Sequence, residues 1–163
     1  MYEYCGRGRL VQVDSANLLW LQLENRNEAI NVRLLGVGSP HNRDRVKDLS
    51  PAVVRGVYAN QIWRQACYFV ESLLKGRTVE IWTRRNSPLD QKRRLLAYLV
   101  IRCEQHPPVD VNAELIAQGL GFVTSDYLHP TYESYRQLED EARRAGRGIW
   151  RAEVGARKWG APN

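Results

Sequence analysis

Cysteine is scarce in this chain: Cys5, Cys67 and Cys103 are the three among 163 residues. An odd number with no short spacing argues against a disulfide framework and against a zinc site. Cys67 and Cys103 sit in apolar segments and are expected to be buried thiols, which points to a cytoplasmic or other reducing intracellular compartment. Long apolar runs are missing too. None approaches the roughly 20 residues that a bilayer crossing needs, so no membrane span and no membrane partner are expected. The opening Met1-Tyr2-Glu3-Tyr4-Cys5 lacks a basic stretch followed by an apolar one, the mark of a secretory signal. Repeats and low-complexity segments are absent. The hydrophobic content of 44% is that of a globular protein, and the length suits one domain.

What the chain has is positive charge. Its net charge is +6, which favours a polyanionic partner such as nucleic acid. The excess is local. Arg84, Arg85, Lys92, Arg93 and Arg94 surround one acid, Asp90, and Arg43, Arg45 and Lys47 lie near His41.

Gly8 to Val13, Leu18 to Glu24 and Ala29 to Val37 read as a three-stranded meander with short turns. A polar stretch from Gly38 to about Pro51 has no periodicity, and a connection that long in a compact domain is commonly functional. Ile62, Ala66, Phe69, Val70 and Leu73 recur at helical spacing within Val53 to Lys75, which Gly76 stops. Thr78 to Thr83 and Leu95 to Arg102 are further strands, joined by a basic loop. His106-Pro107-Pro108 reads as a turn, Asp110 caps a short helix to Gln118, and another helix runs from Thr131 to Ala145. Five strands with a helix between the third and fourth is the order of an OB-fold barrel, an α+β fold with three helices. The domain is expected over residues 1–150, followed by a basic tail over 151–163 that carries Trp159.

Two segments carry the chemistry. Arg33 and Arg94 each stand at the start or inside an apolar strand, and a guanidinium fork donates to two phosphate oxygens at once. Val32-Arg33-Leu34-Leu35-Gly36-Val37-Gly38-Ser39-Pro40-His41 resembles the arginine-strand motif of the staphylococcal nuclease (thermonuclease) family, which ends Asp-Thr-Pro-Glu. Asp90 to Tyr98 is similar to that family's Asp-x-x-Gly-Arg-x-Leu-Ala-Tyr segment. Val111 to Leu120 and Glu139 to Trp150 resemble its last two helices, so the likeness runs from about Gly8 to Trp150.

The resemblance implies phosphodiester hydrolysis by a calcium ion, two arginines and a glutamate. Arg33 and Arg94 match the arginines. The carboxylates do not carry over: Ala16 and Gly38 stand at calcium-ligand positions, Ser39 replaces a threonine whose carbonyl binds the ion, and His41 replaces the glutamate. Tyr127 matches one of two tyrosines near the nucleotide, and Ser125 replaces the other. Calcium prefers six to eight oxygens with carboxylates among them, so neither a metal nor any other cofactor is expected.

The expected function is therefore nucleic-acid binding by a nuclease-like domain that has lost calcium-dependent hydrolysis. The interface comprises Arg33, Arg84, Arg85, Lys92, Arg93, Arg94 and Tyr127. One alternative is an active phosphodiesterase on DNA or RNA, with Arg33, Arg94 and His41 as catalytic residues or with a non-calcium metal. Another is a protein-interaction module within a larger assembly.

Overall fold

The structure is a computed structural model that describes residues 1–40 and 57–151. His41, the basic residues between it and Lys47, the early part of the expected first helix, and Trp159 with the tail after Arg151 lie outside the described residues.

Five strands close a barrel. They are β1 (Tyr2–Ser15), β2 (Leu18–Leu23), β3 (Ala29–Leu34), β5 (Thr78–Arg84) and β6 (Leu95–Cys103). β1 pairs antiparallel with β2 and with β5, β2 with β3, and β5 with β6. Closure comes from a short parallel pairing of β3 with β6, in which Val32, Arg33 and Leu34 face Leu95, Leu96 and Ala97. This is the OB-type α+β arrangement that the order of elements implies. Alternation along the strands sends Leu19, Leu21, Val32, Leu34, Val79 and Ile81 into the barrel.

Three helices are described. α1 (Val57–Leu74) buries Ile62, Ala66, Val70 and Leu74, with Phe69 and Leu73 packed beside them. α2 (Val111–Ala117) starts at Asp110, whose side chain accepts from Ala113 N–H. α3 (Tyr132–Ala145) ends at Gly146 in the left-handed conformation, and a 3₁₀ turn (Gly148–Trp150) then folds Ile149 and Trp150 into the core. Arg143 lies 4.1 Å above the Trp150 ring, a cation–π contact on a buried aromatic. Among the described residues no helix is long and apolar enough to cross a membrane.

The structure departs from the sequence reading in four places. β1 begins at Tyr2, well before Gly8; a register shift between Tyr4 and Gly6 breaks the alternation that marks a strand. His106-Pro107-Pro108 belongs to a strand, β7 (His106–Asp110), on the outer edge of β6, where proline's missing N–H is tolerated. The third strand stops at Leu34. Gly36, at φ 76°, turns the chain so that β4 (Val37–Gly38) pairs instead with β8 (Phe122–Val123). Finally, Cys103 is exposed at the end of β6, and Cys67 is only half-buried, its thiol pushed up chiefly by burial.

Candidate nucleic-acid interface

The site is built on the turn between β5 and β6. Asp90 N–H donates to the Arg94 carbonyl at 2.9 Å, and Arg93 N–H to the Asp90 carbonyl at 3.0 Å. The Asp90 side chain completes the turn by accepting from the backbone N–H groups of Lys92 and Arg94, each at 2.9 Å. This geometry forces Arg93 to φ 60°, a left-handed conformation that costs a residue with a Cβ about 1–2 kcal/mol. The resembled motif has glycine there.

Both arginines converge on this turn. Arg94 reaches one Asp90 carboxylate oxygen, Oδ2, with Nη2 at 2.6 Å and Nε at 2.7 Å. Arg33 Nη1 comes to 3.7 Å from the same oxygen. Arg33 Nη2 also pairs with Asp126 Oδ2 at 3.0 Å, and its guanidinium carbon lies 5.6 Å from the centroid of the Tyr127 ring. The parallel register places Arg33 opposite Leu96, two residues beyond Arg94, so the strand pairing itself brings the two cations together. Arg33 and Asp90 are only 8% and 7% exposed. Burial pushes the Asp90 carboxyl up, but hydrogen bonds from Arg94, its positive charge and the Lys92 N–H outweigh burial and hold it below the ordinary range.

The remaining basic candidates are spread out. Arg85 is exposed and pairs with Glu3 at 3.3 Å. Arg84 borders a small recess formed with Tyr2, His129 and Pro130. Lys92 is exposed, and Arg93 turns into a separate cleft beside the barrel. Arg33, Arg94 and Tyr127 are thus brought together, while Arg84 ends β5 and Arg85 follows it, away from the pair.

The positions where the resemblance implies calcium ligands are packed with neutral groups. Ala16 is 1% exposed. Around it, Ser15 Oγ donates to Ser39 Oγ at 2.9 Å, and Asn17 Nδ2 donates to the Val37 carbonyl at 2.9 Å. A Cβ on Gly38 would stand 2.3 Å from the Phe122 ring. Asp14 points elsewhere and accepts from Trp20 Nε1 at 2.8 Å. Among the described residues no group of three or more His, Cys, Asp or Glu side chains is placed to hold a metal ion. Gly38→Asp is expected to destabilise the fold by about 1–3 kcal/mol through overpacking. Even combined with Ala16→Asp it should give no heat of calcium binding in calorimetry. Saturable calcium binding by that double variant would mean that Phe122 yields its place.

Two participants have no signal in the sequence reading. Asp126 meets Arg33 from 93 residues away, and no local pattern announces such a pairing. His129 covers Gly36, whose missing side chain makes room for the imidazole ring. Its Nδ1 lies 3.0 Å from Thr131 Oγ1 and its Nε2 3.2 Å from the Thr124 carbonyl, so the carbonyl fixes the proton on Nε2. Burial holds its pKa below the ordinary imidazole value, opposed in part by the hydrogen bond to the Thr124 carbonyl.

Among curated proteins no match to the chain is found. The family model described as staphylococcal nuclease homologue matches residues 31–152, a stretch that holds Arg33, the Asp90–Arg94 turn, Tyr127 and all three helices. With well over half its length covered, the chain belongs to the staphylococcal nuclease homologue family.

Proposed function

We propose that this chain is a nucleic-acid-binding domain that grips the phosphodiester backbone with Arg33 and Arg94 and does not hydrolyse it with calcium. The observation that carries the reading is the convergence of two guanidinium groups on one carboxylate oxygen, at 2.6 and 3.7 Å. Groups that share one anionic oxygen are close enough to share a phosphate. Tyr127 adds an aromatic face beside Arg33. The packing supports the loss of calcium chemistry, because a side chain at Gly38 collides with the Phe122 ring and Ala16 is buried.

The pair is already held by acids. Asp126 is the more exposed of the two, at 25% against 1% for the Asp90 side chain. Asp126 is therefore the group that an arriving phosphate displaces from Arg33, while Asp90 stays to hold the turn. The hydrolytic alternative through His41 rests on a residue outside the described part of the chain.

Fluorescence anisotropy with labelled single-stranded DNA and RNA across a salt series tests this. Wild type should bind at low salt and weaken steeply as salt rises. Arg33→Ala with Arg94→Ala should weaken binding at least tenfold for every sequence and lower the salt slope by about 1.4, since each lost single-strand phosphate contact removes about 0.7. Asp126→Asn should bind several-fold tighter. The acid-held arginines are the specific observation that favours a protein-interaction module. No binding at low salt, or a double variant with unchanged affinity and slope, makes that reading the better one.

A further inference from the structure

A cleft of about 810 Å³ is separate from the arginine pair: Arg33, Asp90 and Arg94 are not among its walls. It opens where β3 parts from β6. Their pairing begins at Val32 and Leu95, and upstream of it Asn31 faces the gap beside Leu89 and Arg93. Arg7, Arg26 and Arg93 bring three positive charges to the walls, against one lining acid, Glu28; Arg7 is paired with Glu24 at 3.2 Å. The rest is largely apolar, with Leu23, Ile30, Leu89 and Leu95. Trp20 borders it as well, and the bond from its Nε1 to Asp14 at 2.8 Å fixes the indole plane.

Apolar and aromatic walls with arginines at the rim suit a ligand that joins a flat ring to an anion. Single-strand binders use this combination, stacking bases on aromatic side chains while cations follow the backbone. Position supports the match. Asn31 and Arg33 share one face of β3, about 7 Å apart along the strand, close to one nucleotide step. Arg93 is the neighbour of Arg94 in a turn whose hydrogen bonds fix its backbone. Asn31 Oδ1 is buried beside the cleft with no hydrogen-bond partner among the described residues, and a ligand donor reached by a turn of the amide would satisfy it. Beyond Arg7 a second recess, about 390 Å³, carries Arg77 and Arg102, the latter paired with Glu80 at 2.7 Å.

We propose that this cleft is a nucleotide subsite that receives the base and phosphate next to the one held by Arg33 and Arg94, with the base against Trp20 and the phosphate between Arg26 and Arg93. The assignment rests on the backbone-binding reading above and adds a second contact to it.

The test compares an intact eight-nucleotide strand with one of the same length carrying abasic positions, alongside cytidine monophosphate as a free nucleotide. Wild type should bind the abasic strand at least about fivefold more weakly, the lower end of what one stacked base contributes. Trp20→Ala should abolish that difference. Arg26→Ala with Arg93→Gly should lower the salt slope by about 1.4. That pair leaves the core untouched and gives position 93 the residue its φ prefers, so it answers the question even where Trp20→Ala unfolds. Equal binding of both strands by wild type, with an unchanged slope in the arginine variant, overturns the subsite and leaves the backbone reading standing. Cytidine monophosphate raising the melting temperature of wild type but not of the arginine variant, without strand binding, keeps the subsite for a free nucleotide and ends the backbone reading. Neither strand nor monophosphate binding ends both.

Discussion

Asp90→Ala is expected to cost the fold about 3–5 kcal/mol, the penalty for removing one partner of a buried ion pair. Asp90 is the common counter-charge of Arg33 and Arg94, and the Arg33 and Arg94 side chains are 10% and 16% exposed. Without it Arg33 keeps Asp126, but Arg94 loses both bonds to its carboxylate and the turn loses two side-chain contacts to backbone N–H groups. Asp90→Asn keeps an acceptor and should cost roughly half as much. A pH series separates charge from shape. The folded carboxyl titrates below its unfolded value of about 3.9. Its contribution is therefore complete above that value and disappears as pH falls through the folded pKa. Wild type should lose stability steeply below pH 4, and Asp90→Asn should show a shallower slope there. Urea unfolding at several pH values measures both, and parallel slopes would refute the charged role of Asp90.

Asn112→Ala should be comparably severe, about 3–5 kcal/mol. Asn112 is fully buried at the start of α2. Its Oδ1 accepts from Leu99 N–H at 3.2 Å, and its Nδ2 donates to the carbonyls of Leu35 at 3.0 Å and Ala97 at 3.1 Å. Truncation leaves the Leu99 N–H without this acceptor and the Leu35 carbonyl without this donor, each at about 1–3 kcal/mol when unmet, while the Ala97 carbonyl still accepts from Leu35 N–H at 2.9 Å. Leu35 and Ala97 lie close in sequence to Arg33 and Arg94, so the amide also ties the two strands that carry the site. Strand binding should weaken together with stability. A loss below about 1 kcal/mol in urea unfolding would show that these backbone groups find other partners.

The barrel and the arginine pair were legible because both write themselves into short stretches of chain. Strand alternation and helical spacing mark the barrel strands and the face of α1, and each arginine sits beside an apolar run. β7 was not legible: three exposed residues, two of them proline, have no alternation to read, and only the neighbouring β6 makes them a strand. The end of β3 at Leu34 was hidden because Val37 continues the apolar pattern, while Gly36 breaks the backbone direction. Asp90 was visible as the lone acid in a basic loop, but its position between both arginines depends on the parallel strand pairing. Asp126 lies in an irregular segment, and what it touches is decided entirely by the tertiary fold.

The distance along the chain between Arg33 and its partners also governs when the site comes into being. Asp126 is 93 residues away, and the pairing of β3 with β6 joins segments on either side of α1 and β5. Contacts of such separation carry a high loop-closure entropy and slow the search for the native state. The arginine pair therefore exists only once the barrel has closed. A newly made chain presents its cations singly, as ordinary surface charge, until the last strands are in place. Under the proposed backbone-binding reading, salt-sensitive retention on a phosphate column is expected to report completed folding of this chain as directly as it reports binding.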